Sequence, residues 1–345
     1  MHIECKRLTD TWKQYTLTND NHMHVTILNY GGIITDITVP DQNGVYENVV
    51  LGYKHIDDYA DNPNFFGALI GRVAGRIQNA SFPIGNQTID LDANEGNNHL
   101  HGGADGFDHV MWNDESFQND TGVGVILTHS SHGEASGYPG NVDVSVTYTL
   151  TNDNKLIIDY HATTDQTTPF SLTNHSYFNL SGNLKETVHN HDVTLDSSRF
   201  LPVDEDLIPT GECKNVTGTP FDFRQGKKIS TGIDSTSEQN LRVGNGYDHY
   251  FLLDAKREDH IVVKESKSGR VLRIQTNQPG FTMYTANGLA NDCLLKERQS
   301  DKHLGVCFET HAPSAALNHE GLSDILLTPD ETYRKQTVFT FDVQN

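Results

Sequence analysis

The sequence contains little cysteine and no closely spaced cysteine pair. Its four cysteines, Cys5, Cys213, Cys293 and Cys307, are widely separated, and no Cys-x-x-Cys motif occurs in the 345 residues. Zinc sites and disulfide frameworks both use more cysteines at closer spacings. We therefore expect four free thiols in a reducing compartment.

Long apolar runs are missing as well. No stretch approaches the ~20 apolar residues that a membrane-spanning helix needs. Residues 1–7 lack the apolar segment of a signal peptide. These absences predict a cytoplasmic protein that does not associate with membranes.

Positive charge is scarce relative to negative charge. The chain has 25 Lys and Arg against 46 Asp and Glu, a formal net charge of −21 at pH 7. Such an acidic surface repels nucleic-acid phosphates and anionic lipids, so we expect neither as a partner. It also disfavours a phosphorylated ligand and favours an uncharged small molecule. The sequence carries no indication of the oligomeric state.

Strand patterns dominate what the sequence does contain. The segment Val142–Leu150 alternates apolar and polar residues, as a half-buried strand does. Further strands are predicted at 155–161, 261–265, Arg270–Thr276 and 338–343. Helical periodicity is nearly absent, apart from a short helix predicted at 55–61. The chain is therefore predicted to be all-β, a single large antiparallel β-sandwich domain over residues 1–345.

Two glycine-containing segments hold the first candidate site residues. Arg72 and Arg76 lie in Gly-Arg-Val-Ala-Gly-Arg-Ile, and an arginine that points inward is a forked donor suited to hydroxyl or carboxylate oxygens. A structural salt bridge is the alternative. His99 and His101 share one face if the chain is extended there. Such a pair fits a metal site, a hydrogen-bond donor in a pocket, or an ordinary surface loop.

One further histidine and two carboxylates complete the candidate set. His175 lies in Thr-Asn-His-Ser-Tyr-Phe-Asn-Leu, where polar neighbours can set its tautomer and pKa. A hydrogen-bonded core histidine is the alternative. Asp248 begins Asp-His-Tyr-Phe. Glu309 follows the apolar residues 304–308, and burial at a strand end raises a carboxylate pKa, which suits a general base. For Glu309 an exposed acid is the alternative.

Together these segments resemble the signatures of the galactose mutarotase (aldose 1-epimerase) family. The matching motifs are Gly-Arg-x-Ala-x-Arg-Ile, Leu-His-Gly-Gly, Thr-Asn-His-Ser-Tyr-Phe-Asn-Leu, Asp-His-x-Phe and a glutamate after an apolar strand. Further matching segments are 29–32, 51–53, 137–140, 208–211, 218–223 and 327–329. The resemblance covers essentially the whole chain, and it implies a galactose mutarotase-like β-sandwich that acts on an unphosphorylated aldose such as galactose or glucose.

The departures from the family pattern are modest. Gly75 stands where many members have asparagine, and Gln278 stands where glutamate is common. His311 and Ser314 occupy positions where glutamine and aspartate are frequent. None of the four removes a catalytic group, but the changes near Tyr284 and His311 leave the preferred sugar open.

The resemblance also implies a mechanism without a cofactor or a metal. Opening a cyclic sugar hemiacetal requires a base at the anomeric hydroxyl and an acid at the ring oxygen. The family pattern assigns the base to Glu309 and the acid, as a protonated imidazole, to His175. His101 is expected to donate to the ring oxygen or a neighbouring hydroxyl, as an orienting group or a secondary acid.

Three further residues are expected to bind the sugar. Arg76 and Asp248 are expected to hold ring hydroxyls, and a site built to pair with a hydroxyl discriminates against sugars that lack it. Tyr284 is expected to add an apolar or hydroxyl contact.

Three other functions are compatible with parts of this residue set. A glycoside hydrolase can use two carboxylates, here Asp248 and Glu309, but leaves the histidines without a role. A non-catalytic sugar-binding module needs Arg76 and Asp248 but not an acid and a base. A metal enzyme would draw on the histidines at positions 99, 101 and 311.

Overall fold

Strands with alternating apolar and polar residues form three large antiparallel sheets. The computed structural model describes residues 1–133 and 135–344, and their strands form sheets of five, nine and six strands with four additional two-stranded sheets. The five-stranded sheet is a meander in chain order: His2–Arg7, Lys13–Thr18, His24–Leu28, Ile34–Pro40 and Tyr46–Asn48.

The nine-stranded sheet contains the strands that the sequence predicts. Its spatial order is Asn113–Gln118, Val123–Ser131, Val142–Leu150, Lys155–Thr164, Tyr333–Val343, Arg270–Thr276, Ile261–Lys264, Asp192–Leu195 and Lys227–Lys228. The two predicted hairpins are present. The strands predicted at 155–161 and 338–343 are longer than expected, because each continues along its neighbour in the ladder.

The six-stranded sheet positions three of the six candidate site residues, Asp248, Tyr284 and Glu309. Its spatial order is Tyr177–Phe178, Val306–Thr310, Gly280–Tyr284, Asp248–Leu252, Arg199–Leu201 and Lys214–Asn215. In its central ladder Asp248 pairs with Tyr284, and Tyr284 pairs with Cys307. Thr282 pairs with Glu309 in the same ladder. Side chains alternate between the two faces of a strand, and residues that pair across a ladder project from the same face. The side chains of each pair therefore reach the cavity side of the sheet together.

Short elements connect the sheets. The two-stranded sheets are Leu69–Ile70 with Thr173–Asn174, Arg76–Ile77 with His99–Leu100, Ser81–Ile84 with Gln87–Asp90, and Thr168–Pro169 with Leu326–Leu327. The 3₁₀ turns are Ile56–Ala60, Gln78–Ala80, Phe107–His109, Ala135–Gly137, Val188–Asn190 and Ser314–Leu317. The first of them confirms the short helix predicted at 55–61.

Helix is a minor component. The described residues contain two short α-helices, Ser230–Ile233 and Glu238–Arg242. No helix among them is long and apolar enough to span a bilayer. All four cysteines carry free thiols.

One apolar core joins the large sheets. Ile27 of the five-stranded sheet, Val125 and Phe339 of the nine-stranded sheet, and Phe281 of the six-stranded sheet belong to the same buried cluster. Their side chains are at most 3% exposed. Sheets packed face to face over a shared core make the all-β sandwich that the sequence predicts.

A buried ion pair also ties two of the sheets together. Arg270 of the nine-stranded sheet is 1% exposed, and its Nη2 lies 2.9 Å from Oε2 of Glu47 in the five-stranded sheet. The same guanidinium donates to the carbonyls of Val45 (3.1 Å) and Leu180 (3.3 Å). Glu47 also pairs with the exposed Lys185. Removal of Arg270 would leave the buried carboxylate with that surface ammonium as its one remaining counter-ion.

We expect Arg270→Ala to lower the free energy of unfolding by about 3–5 kcal/mol, because Glu47 would stay buried without its guanidinium. Urea denaturation of both proteins measures this change. Lys267→Ala, which removes a surface pair with Glu186, is the control and should leave the midpoint nearly unchanged. Equal midpoints for the Arg270 variant and the unmodified chain would contradict this prediction.

Candidate active site

A cavity of about 340 Å³ lies over one face of the six-stranded sheet. The residues predicted from the sequence all line it: Arg76, His101, His175, Asp248, Tyr284 and Glu309. They come from six chain segments, and the first and last of them, Arg76 and Glu309, are 233 residues apart in the sequence. The structure therefore brings together every member of the predicted set.

Glu309 lies near the end of the strand Val306–Thr310, which is buried along its whole length. Its side chain is almost fully buried, and this burial raises the pKa of the carboxyl well above its ordinary value. The nearby Asp248 raises it further, and Arg76 opposes both effects. The apolar strand thus has the effect on this carboxylate that the sequence predicts.

His175 lies against Glu309. Its Nε2 is 3.5 Å from Oε1 of Glu309, and burial lowers the pKa of the imidazole to about 4. Burial moves the pKa values of the two groups in opposite directions and favours the neutral form of each. The protonated imidazole stays a prediction, and it depends on Glu309 as its counter-ion.

His101 is oriented by its own backbone neighbourhood. The N–H of Gly75 donates to its Nδ1 at 3.1 Å, so Nε2 is the nitrogen that carries the proton in the neutral ring. The residue has φ +54°, a left-handed conformation that non-glycine residues adopt mainly where surrounding structure enforces it. Burial, followed by the proximity of His175, lowers its pKa well below the ordinary value.

His99 does not share this site, which corrects the expectation that both histidines lie on one face. The left-handed turn at His101 ends the extended backbone, so the side chains diverge. His99 donates from Nδ1 to the carbonyl of Asp92 (2.7 Å) and accepts at Nε2 from the hydroxyl of Tyr138 (2.9 Å). Both nitrogens are occupied, and His99 is a hydrogen-bonded core histidine.

The hydrogen bonds also bear on metal binding. Ligand atoms of His101, His175 and Glu309 lie within 4.8 Å of one another. A metal requires the lone pair of an imidazole nitrogen, but Nε2 of His101 carries a proton while Gly75 donates to Nδ1. The third histidine of the metal alternative, His311, donates from Nδ1 to the carbonyl of Ala312 and accepts at Nε2 from the hydroxyl of Thr282. Hydrogen bonds thus occupy the lone pairs that the three histidines of this alternative would offer to a metal ion.

Arg76 holds two carboxylates at one side of the cavity. It forms a forked pair with Glu95, from Nε at 2.6 Å and Nη2 at 2.9 Å. Its Nη1 lies 3.6 Å from Oδ2 of Asp248. Burial raises the pKa of Asp248, and Arg76 opposes that shift. The other arginine of the motif, Arg72, is buried elsewhere and donates to Ser131, as a structural arginine does.

Tyr284 faces Asp248 across the ladder. Its hydroxyl accepts a hydrogen bond from the N–H of Gly288 at 2.9 Å, which leaves the hydroxyl proton free to point into the cavity. Burial raises the pKa of this hydroxyl, so it remains neutral at physiological pH.

Several lining residues were not predicted as site residues. Glu95 lies in a loop and forms the ion pair with Arg76. Phe65 packs against the rings of His101 (4.8 Å between centroids) and His175 (5.8 Å). No sequence signal marks Glu95, because an acid in a polar loop is common in a chain with 46 acidic residues. Phe65 is left-handed, with φ +55°, but backbone angles are not visible in the sequence.

Three of the departures from the family pattern meet on one cavity wall. The hydroxyl of Thr282 donates to Nε2 of His311 at 2.9 Å. A Cβ added to Gly75 would lie 3.1 Å from Oγ of Ser314 and 3.9 Å from Cε1 of His311. The fourth departure, Gln278, lies outside the cavity lining and donates to the hydroxyl of Tyr333. Gly75, His311 and Ser314 therefore form one wall of the cavity.

Comparisons with known proteins place this geometry in a family. A sequence model of the Aldose 1-epimerase family matches residues 13–340. Galactose mutarotase from Homo sapiens is 39% identical over 338 residues, which cover 96% of this chain and 95% of that protein. Aldose 1-epimerase from Escherichia coli (strain K12) is 34% identical over 335 residues, with coverage of 96% and 95%.

Solved structures agree in fold. Galactose 1-epimerase from Lactobacillus acidophilus NCFM superimposes with a TM-score of 0.88 at 29% identity, covering 100% of this chain and 99% of that one. A GalM/aldose epimerase homologue from C. elegans gives a TM-score of 0.87 at 29% identity, with full coverage of both chains. The mutarotase-like sandwich predicted from the sequence is confirmed.

We expect His101 to remain neutral and protonated only at Nε2 between pH 5.5 and 8, because its pKa is lowered by burial and Gly75 donates to Nδ1. Nitrogen-15 NMR of the imidazole, assigned with His101→Gln, measures the tautomer. A proton on Nδ1, or titration of His101 within this range, would contradict the assigned tautomer.

Proposed function

This chain belongs to the aldose 1-epimerase family, and we propose that Glu309 and His175 are the acid–base pair of its reaction. The chain is an isomerase that interconverts the α and β anomers of free aldohexoses. The observation that carries the proposal is the contact of 3.5 Å between Glu309 and His175 inside the cavity. The matches to aldose 1-epimerases do not favour a hydrolase or a non-catalytic binding module.

The proposed reaction moves protons without a redox step. Glu309 takes the proton from the anomeric hydroxyl while His175 gives a proton to the ring oxygen, and the bond between the anomeric carbon and the ring oxygen breaks. The free aldehyde turns about the bond next to its carbonyl carbon. The hydroxyl formed from the ring oxygen then attacks the other face of the aldehyde. It returns its proton to His175, and Glu309 returns its proton to the new anomeric hydroxyl. A positioned acid or base contributes about 10²–10⁴-fold to such steps.

The proton count of the pair fits this cycle. The reactive form has an ionised Glu309 and a protonated His175, so together they hold one proton, as they also do when both groups are neutral. Transfer of that proton from Glu309 to His175 produces the reactive form without exchange with solvent. Arg76 favours this proton transfer, because the guanidinium lowers the pKa of Glu309. Both groups are neutral again once the ring has opened.

The remaining cavity residues are proposed to hold the sugar. Arg76 and Asp248 present donor and acceptor atoms to ring hydroxyls from one side. His101 presents its Nε2–H beside His175, with the two ring centroids 5.4 Å apart, and is suited to donate to the ring oxygen or an adjacent hydroxyl. Tyr284 adds a neutral hydroxyl above the same sheet.

The nature of the substrate follows from charge and from the relatives. We infer that the substrate is an unphosphorylated monosaccharide, with galactose and glucose as first candidates, because related proteins are named for galactose and the chain carries a net charge of −21. We also propose that residues 1–345 act as one domain in cytoplasmic galactose and hexose metabolism, without a cofactor. Four free thiols fit a reducing compartment.

We expect the unmodified chain to accelerate the approach of fresh α-galactose and α-glucose to their final optical rotation in the presence of EDTA. Glu309→Gln should lower kcat by about 10²–10⁴-fold with little change in KM, because the amide keeps the shape but cannot take a proton. Polarimetry at a series of sugar concentrations measures both constants.

The matched control is Glu115→Gln, which alters an exposed glutamate on an edge strand outside the cavity and should retain full activity. Near-normal kcat for Glu309→Gln would remove Glu309 as the base. Failure of the folded, unmodified chain to accelerate either sugar would overturn the proposed substrates.

Asp248→Ala should mainly raise KM, by about tenfold or more, because a hydrogen bond to a charged group is lost. The increase should be largest for sugars that carry the matching hydroxyl and small for the corresponding deoxy sugar. KM values for galactose, glucose and their deoxy analogues measure the effect, and Asp120→Ala, in a surface turn, controls for the loss of one charge. A KM that the substitution leaves unchanged for every sugar would refute the binding role.

A further inference from the structure

A cysteine lies on the far side of the proposed acid from Glu309. Cys307 and Glu309 are two residues apart on the strand Val306–Thr310, so their side chains project from the same face. The imidazole of His175 lies across both. Its Nε2 is 3.5 Å from Oε1 of Glu309, and its Nδ1 is 3.6 Å from Sγ of Cys307.

We propose that Cys307 is a positioning residue that holds Nδ1 of His175, so that Nε2 faces Glu309 and the sugar. The proposal rests on the function proposed above, since it concerns the proton that His175 gives and receives. Cys307 does not line the cavity and acts on the reaction through His175 alone.

Besides a backbone hydrogen bond within His175 itself, the thiol is the polar group that contacts Nδ1. Among the described residues, Cys307 is the one side chain that hydrogen-bonds to Nδ1. The carbonyl of His175 itself accepts from the N–H of Gly67 at 3.1 Å. The rings that pack around the imidazole are those of Phe65, His101, Tyr177 and Tyr284. These rings restrict the orientation of the imidazole plane, and the thiol contacts Nδ1.

A neutral thiol suits a group that changes its protonation in every turnover. Burial, with the nearby Glu309 and Asp248, raises the pKa of Cys307 well above its ordinary value, so the sulfur keeps its proton. The sulfur can accept weakly from Nδ1–H both when His175 is neutral, with a free lone pair at Nε2, and when the ring is protonated. A carboxylate in this place would only accept, and would hold the ring in its charged form.

The test compares Cys307→Ser, which keeps a hydroxyl near Nδ1, with Cys307→Ala, which removes every polar atom there. Cys293→Ser, a half-buried cysteine outside the cavity, is the matched control. Polarimetry gives kcat and KM, thermal melting gives Tm, and nitrogen-15 NMR, with His175 assigned by His175→Asn, gives its tautomer.

We expect Cys307→Ala to lower kcat about tenfold with KM unchanged, because a loosely held acid spends less time in line with the ring oxygen. Cys307→Ser should retain at least a third of the original kcat. In the NMR spectra, the Nδ1 signal of His175 should shift in the serine variant, and the alanine variant should show a mixture of tautomers. The Cys293 variant should match the unmodified chain in all four measurements.

Equal kcat values for the serine and alanine variants would overturn the proposal, whether both match the unmodified chain or both fall together with Tm. If the alanine variant does not fold, an Nδ1 signal that stays in place in Cys307→Ser would overturn it as well. Glu309→Gln separates the two proposals. If that variant is inactive while both Cys307 variants are fully active, the acid–base pair stands and only the role of Cys307 fails.

Discussion

The constraint on which the rest of the site depends is the burial of Glu309 and His175 against each other. Two ionisable groups in a poorly hydrated cavity cannot both be charged at low cost unless each is the counter-ion of the other. The lowest-cost arrangement is a shared proton, which keeps the pair neutral overall in either form. The neighbouring groups then bias where that proton resides: Arg76 favours the ionised carboxylate, whereas Asp248 favours the protonated one.

The six-stranded sheet provides this arrangement through register. Antiparallel pairing aligns Asp248 with Tyr284, and Thr282 with Glu309. Period-two alternation then projects the side chains of three strands into one cavity. The same alternation places Cys307 beside Glu309, on opposite nitrogens of one imidazole. A shift of one residue in any of these strands would turn its functional side chain into the core.

Two pairs in the sequence show how local conformation separates function from structure. Arg72 and Arg76 belong to one motif, yet one braces the fold at Ser131 and the other lines the cavity. His99 and His101 are two residues apart, yet the left-handed backbone of His101 turns its ring into the site and leaves His99 in the core. In both pairs the residue type is the same, and the backbone between the two members decides which one meets the substrate.

The sequence by itself determined the all-β sandwich, the strands of the two predicted hairpins and of the C-terminus, and the six residues predicted for the site, because alternation and motif strings are local properties of the chain. It also favoured a buried Glu309, since the preceding residues are apolar. Only the tertiary structure decided the burial of His175 against Glu309, the ion pair of Glu95 with Arg76, and the contact of Cys307 with Nδ1. These depend on desolvation and on partners from remote segments, 132 residues away for Cys307 and His175. A pKa or a tautomer is a property of such surroundings, and no pattern within one segment encodes it.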